Sequence, residues 1–432
     1  MTHKRTLFFI IILLFIALAT YFMIQFAKGY RFSPAQRGFQ PSGLLVATSV
    51  PDGAQVYIDG KLKTATNTTV FLTPGEYQVE IKKEGFAIWG KKLRIEKELV
   101  TKTDAVLFPL VPNLQSLTFT GASSPLVSND GTKIVYSVNT PTGEKNGLWI
   151  LEFSDFPFGI SREPRQIVKN LTGGRDFSKA TYRWSPDSSS LLVTFEIINK
   201  NTASKKTTKQ TKIEENFLID TASLITSSQL AEVAKTSTMT TTIIAQWEKE
   251  EKLKYDQKVA KLPVKLSEIL KNNTNQIVFS PDETKILYIA IGEATIPDKI
   301  IPGLPGSSTQ AEERNLKPHQ TYVYDIKEDK NFLIIKDKEC LVGLQINLIS
   351  VQDKSFPDCT LRWFPGSRHL VLVEKDKIQI LEYEGTNWLS VYSGNYQFPF
   401  AYANPSGNKL VILTNLSNLP DSLPNLYAVS LR

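Results

Sequence analysis

The chain has 432 residues, 41% of them hydrophobic and 22% charged, and a formal net charge of +7. Single cores stop growing near roughly 250 to 300 residues, so at least two domains are expected. Lys4, Arg5 and Lys28 flank an apolar N-terminus and supply three of the excess charges; elsewhere both signs are interspersed, which argues against a basic nucleic-acid footprint, and no nucleic-acid partner is expected.

Leu7 to Ala27, LFFIIILLFIALATYFMIQFA, is an apolar run long enough to cross a hydrocarbon core of roughly 30 Å as a helix. A cleavable signal peptide competes, because Ala17-Leu18-Ala19 has the A-x-A form. The run continues well past the roughly 7 to 15 residues usual for such a peptide, which favours an uncleaved anchor in the lipid bilayer. With Lys4 and Arg5 before it, the positive-inside tendency keeps residues 1–6 cytoplasmic and exports everything after the anchor at 7–27. Export changes how Cys340 and Cys359 read. They are the only cysteines, nineteen positions apart and in no CxxC, so they either form a disulfide or remain free thiols.

A linker, 28–42, leads to short alternating strands separated by turn residues: GLLVATSV, Pro51-Asp52-Gly53, AQVYI, Asp59-Gly60, then EYQVEIK with Tyr77, Val79 and Ile81 on one face. The order PDGA, YIDG, LTPGEYQVEIKKEGF resembles the PEGA domain, with Asp52 in place of Glu in the tetrapeptide. The resemblance covers 43–109 and implies a small extracytoplasmic β-sandwich that serves as spacer or interaction module. Pro51, Gly53, Asp52 and Asp59 read as turn formers.

From residue 114 a strand-turn-strand unit recurs: SPLVSNDGTKIVYSV, TYRWSPDSSSLLVTFE, QIVFSPDETKILYIA, LRWFPGSRHLVLVE and AYANPSGNKLVILT. Asp282 beside Glu283 has the form of an acidic site, but Asp130 and Asp187 hold the equivalent place in two copies and Gly366 and Ser406 in the others. A role that Gly and Ser also fill is geometric. Third strands follow in GLWILEF, ENFLIDT, QTYVYDI, DKIQILEY and NLYAVSL. These units resemble blades of TolB-like and WD-like β-propellers, which implies a propeller over 114–432. LQSLTFT, Leu114 to Thr120, is expected to join the last blade as its outermost strand, and Asp337 to Lys354 leaves room for a degenerate sixth blade.

In such a blade the turns just described lie on one face, and the long loops, including the insertion at about 222–275, are expected on the other. Within the insertion IIAQWEKEEKLKYDQKVAKL reads as a helix with Glu248/Lys252 and Glu250/Lys254 pairs, Pro263 as its end, and VKLSEILKNN as a second helix. Candidate binding residues on that face are Lys205, Lys206, Lys209, Trp247, Tyr255 and Lys317. There is no HExxH, G-x-S-x-G or P-loop, so catalytic, cofactor and metal sites are not expected.

The fold class is therefore all-β: an N-terminal transmembrane helix, a PEGA-like β-sandwich, and a five- or six-bladed β-propeller with a partly helical insertion. The expected role is a membrane-anchored, extracytoplasmic binding or scaffold protein that displays the propeller to an envelope protein or glycan. The rivals are a propeller glycosidase or hydrolase using paired carboxylates, and an assembly factor of a membrane complex.

Overall fold

The computed structural model describes the chain apart from residues 1, 28, 34–37, 142, 154–162, 171–175, 201–209, 223–236, 305–307, 344–356 and 418–421. It divides into two units, Met1–Leu110 with Pro302–Ala311, and Val111–Ile301 with Glu312–Arg432.

In the first unit a helix spans Thr2–Ala27, and its Arg5–Ala27 stretch is long and apolar enough to cross a membrane. Two sheets follow. The four-stranded one runs Lys61–Ala65, Gln55–Ile58, Gly75–Lys82, Trp89–Ile95, and the three-stranded one runs Val100–Lys102, Gly43–Ala47, Thr68–Leu72. Alternation along the strands aims Leu45, Val56, Val79, Ile81, Trp89 and Ile95 into one buried core. Asp59 and Gly60 both take positive φ, 49° and 75°, at the hairpin their dipeptide favours.

The second unit contains five blade sheets. Blade 1 is Ser123–Val127, Lys133–Val138, Gly147–Glu152 and Arg165–Lys169; blade 2 is Thr181–Trp184, Ser190–Lys200 and Gln210–Asp220. Blade 3 is Thr274–Phe279, Lys285–Ala290, Thr321–Asp325 and Lys330–Ile335. Blade 4 is Cys359–Trp363, His369–Glu374, Lys377–Glu382 and Leu389–Ser393, and blade 5 is Ala401–Ala403, Lys409–Thr414 and Asn425–Ser430. Leu114–Ser116 completes blade 5 by pairing antiparallel with Tyr427 to Val429, so the first strand of the unit is the last strand of its final sheet. Among the described residues no sixth blade occurs. In Asp337 to Lys354, the stretch with room for one, Leu341–Val342 adds to blade 4 as a parallel edge strand. The ladder of blade 2 continues as far as the pair Lys200 and Gln210.

All five turns after the first strand have one geometry. An N–H three residues along donates to the carbonyl of Ser128, Ser185, Ser280, Phe364 or Asn404, at 2.8 to 3.0 Å. The donors, Gly131, Ser188, Glu283, Ser367 and Gly407, all take positive φ, between 57° and 73°. Where an acid is present it braces the loop. Asp282 Oδ1 accepts from Ser280 Oγ (2.7 Å), Thr284 N (3.1 Å) and Thr284 Oγ1 (2.9 Å), and Asp130 and Asp187 do the same in their turns.

The same turns join neighbouring blades. Ser188 Oγ of blade 2 accepts from Asp130 N of blade 1 (3.2 Å), and Ser367 Oγ of blade 4 accepts from Asp282 N of blade 3 (3.0 Å). Gly407 of blade 5 leaves room for the Phe364 ring of blade 4, which a Cβ would approach to 2.8 Å, and Gly131 of blade 1 does so for the Tyr402 hydroxyl of blade 5. One position before each turn, Trp184 Nε1 donates to Leu126 O (3.4 Å) and Trp363 Nε1 to Val278 O (2.9 Å), again one blade back.

Blade 3 departs from this rule. Glu283, in the seam position, meets Lys258 (3.2 Å) and Lys261 (3.1 Å), and Lys258 Nζ lies 5.9 Å from the centre of the Phe279 ring. Both lysines belong to the insertion, whose helices are Ser237–Val259 and Val264–Asn273. The second helix buries Leu266 and Leu270 against Ile277, Ile286, Tyr288 and Tyr324 of blade 3. The succession of sheet-on-sheet seams is thus interrupted at blade 3, where the insertion packs instead. Pro263 sits at the N-cap of the second helix, the first having ended at Val259.

Cys340 and Cys359 form a buried disulfide with Cα atoms 4.7 Å apart. Replacing both by serine should lower stability by about 3 kcal/mol, the value expected for a loop of this size. Unfolding in denaturant checks it, and an unchanged midpoint would contradict a structural role.

The turn acids make a second prediction. Burial raises the Asp282 pKa, but bonds from Ser280 and Thr284 and the nearby Lys285 charge outweigh it and hold the carboxyl at about 2, against 3.8 ordinarily. Bonds from Ser185 and Ser189 do the same for Asp187. A folded-state value below the unfolded one means stabilisation present above pH 3.8 and lost as pH falls through about 2. Thermal midpoints of D187N/D282N should therefore fall less steeply than those of the wild type over that window; parallel curves would contradict it.

Candidate functional site

Of the six residues expected to form a binding face, three are among the described residues. Lys205, Lys206 and Lys209 lie outside the described residues. Trp247 is buried, Tyr255 is exposed on the same helix, and Lys317 is exposed in another loop, its N–H donating to Tyr322 Oη at 3.0 Å. Among the described residues no metal-holding group of three or more His, Cys, Asp or Glu side chains occurs.

A cavity lies on the turn face instead, with a volume of about 420 Å³. Its walls come from the turns of blades 1, 3, 4 and 5 and from Lys258 of the insertion. The insertion was expected on the opposite face; its ion pairs with Glu283 and with Arg183, two residues before the blade 2 turn, bring it to this one. The expected Glu250–Lys254 pair forms at 2.8 Å, whereas Glu248, expected to pair with Lys252, reaches Arg183 at 3.2 Å.

Of the five residues that precede the turns, Val127, Trp184, Phe279, Trp363 and Ala403, the one in blade 5 is the smallest. Where blades 2 and 4 carry Trp184 and Trp363, blade 5 carries Ala403, and the missing indole leaves space against Trp363 and Val371 of blade 4. Facing that space is Arg362, 6% exposed. Its Nη1 donates to Ala401 O (3.0 Å) and its Nη2 to Pro399 O (3.2 Å), while Nε has no acceptor. Burial lowers its pKa to about 10, so it stays cationic at neutral pH. Phe279 and Tyr402, with Pro281, Pro365 and Pro405, supply the apolar part of a wall in which polar and apolar surface are nearly equal. Such a lining around a few placed polar groups suits a small ligand.

Arg183 occupies the corresponding position in blade 2, and the comparison is informative. It also reaches toward the next seam, but there it meets two carboxylates, Glu248 and Glu251, both at 3.2 Å. Among the described residues Arg362 meets backbone carbonyls only. The repeated Arg-Trp before the turn, in TYRWSPD and LRWFPG, was the available signal for this site.

Residues 42–110 match the PEGA domain family. No curated protein sequence matches the chain. Among solved structures, a putative TolB from Agrobacterium tumefaciens is similar at 12% identity and a TM-score of 0.21, over 71% of this chain and 78% of that one. TolB from Acinetobacter baumannii is similar at 12% and 0.22, over 82% and 60%. The acylaminoacyl peptidase of Pyrococcus horikoshii is similar at 11% and 0.23, over 90% of this chain and only 51% of its own length. At these values the likenesses add nothing to the reading of function, and the blades are identified by their own sheet order.

The clamp between Glu283 and the two lysines can be tested separately. Glu283→Ala should raise amide hydrogen exchange in the last turns of Ser237–Val259 and leave the blade strands unchanged. Identical exchange in that helix would show that the pairs do not hold it.

Proposed function

We propose that the protein is a non-enzymatic, single-pass envelope protein, with its N-terminus cytoplasmic, whose propeller binds an envelope protein or glycan. The observation that carries this reading is the order of parts: a helix able to cross a membrane, then a PEGA domain at 42–110, then five blade sheets. The lysines flanking the helix support the orientation through the positive-inside tendency. A rigid propeller supports binding, because loops and turns held on such a scaffold keep their geometry while they vary in sequence.

Cross-linking in intact cells, followed by mass spectrometry, tests the proposal. The expected result is one recurrent envelope partner, or wall glycan, attached through the propeller. Cross-links confined to cytoplasmic proteins would overturn the orientation, and none reproducible from the propeller would overturn the binding role.

A further inference from the structure

The geometry points to a carboxylate-binding site in the turn-face cavity walled by blades 1, 3, 4 and 5, with Arg362 as its anion-binding group. The charge balance of two equivalent positions carries the inference. Arg183 and Arg362 each precede the tryptophan of their turn and each reach toward the following seam. Arg183, partly exposed, is matched by Glu248 and Glu251. Arg362 is far more deeply buried, yet among the described residues it has no carboxylate partner, and its Nε is without any acceptor. A buried guanidinium is costly unless a carboxylate or its equivalent completes its bonding. The cavity beside it supplies room for one.

Its surroundings define the ligand further. Lys258 also lines the cavity but is paired with Glu283 (3.2 Å), which leaves Arg362 as the unmatched cation there, and the one acid in the lining, Asp130, is engaged by Ser128 and Thr132 within its own turn. The walls of Phe279, Trp363, Tyr402 and the turn prolines accept an apolar body. The class that fits is therefore a carboxylate on an apolar or aromatic group, of a size suited to a cavity of about 420 Å³. It can come from a free small acid or from the C-terminus of a peptide, as in other cases where a chain-end carboxylate is captured.

The test is calorimetry on the full chain in nanodiscs with three probes: N-acetyl-phenylalanine, its C-terminal amide, and N-acetyl-Ala-Ala-Phe. Both acids should bind saturably and the amide at least about tenfold more weakly, the factor expected for a charge-assisted bond. Tighter binding of the peptide than of N-acetyl-phenylalanine identifies a chain end as the source; equal binding identifies a small acid. Arg362→Gln should abolish the difference between acid and amide. Because Arg362 also ties blade 4 to blade 5, Ala403→Trp is the second variant. It restores the indole of blades 2 and 4, fills the cavity, and should remove binding while the thermal midpoint is kept or raised. Equal affinity for acid and amide, no saturable binding at millimolar concentration, or unaltered binding to the Ala403→Trp protein would each overturn the site. The inference stands apart from the display role, since calorimetry can fail while a partner is still cross-linked, and the reverse.

Discussion

The propeller depends on how each blade attaches to the one before it, and one point of that attachment recurs in the turn of the repeat. The residue of positive φ in the first turn is held there by an N–H···O bond three residues long. The conformation projects it backward across the seam, where it is a serine accepting from a backbone N–H or a glycine admitting a ring or hydroxyl. Only small residues suit that geometry in a close seam, because a left-handed backbone disfavours bulky side chains and the neighbour leaves no space. Glu283 is the exception in size and in partner. It is the residue found where helices, not a sheet, stand in the seam.

The cavity arises from the same seam rules. Tryptophan before the turn closes the seams behind blades 2 and 4, and alanine leaves the seam behind blade 5 partly open. An uncompensated arginine lines the opening. Stability alone would favour an apolar residue there, since buried charges without partners are unfavourable. A tight core and a receptive site are thus alternatives at one position of a repeat, and the chain uses each in a different blade.

Much of the fold was legible in the sequence because turns and alternation are local. Asp59-Gly60 announces its hairpin, the five turn motifs announce five blades, and Leu114–Ser116 makes the pairing expected of LQSLTFT. Asp282 reads as a turn former from the Gly and Ser that replace it elsewhere, and its three accepted bonds are those of a turn. The position of the insertion was not legible, since chain order assigns it to a connection between blades but not to a path. Glu248 pairs with Arg183 across the fold instead of with Lys252 on its own helix, a choice made by tertiary contact. Arg362 was overlooked for a similar reason: burial and the lack of a counter-charge are properties of the assembled seam.

Zero-length carbodiimide coupling, read by peptide mass spectrometry, tests most directly whether the insertion takes the place of a sheet at the seam of blade 3. The reagent joins amines and carboxylates only when they are in contact. The pair Lys254 and Glu250 within the helix, 2.8 Å apart, serves as internal control. The structure requires an isopeptide bond from Glu283 to Lys258 or Lys261 alongside that control bond. The control bond alone, with Glu283 uncoupled, would contradict it.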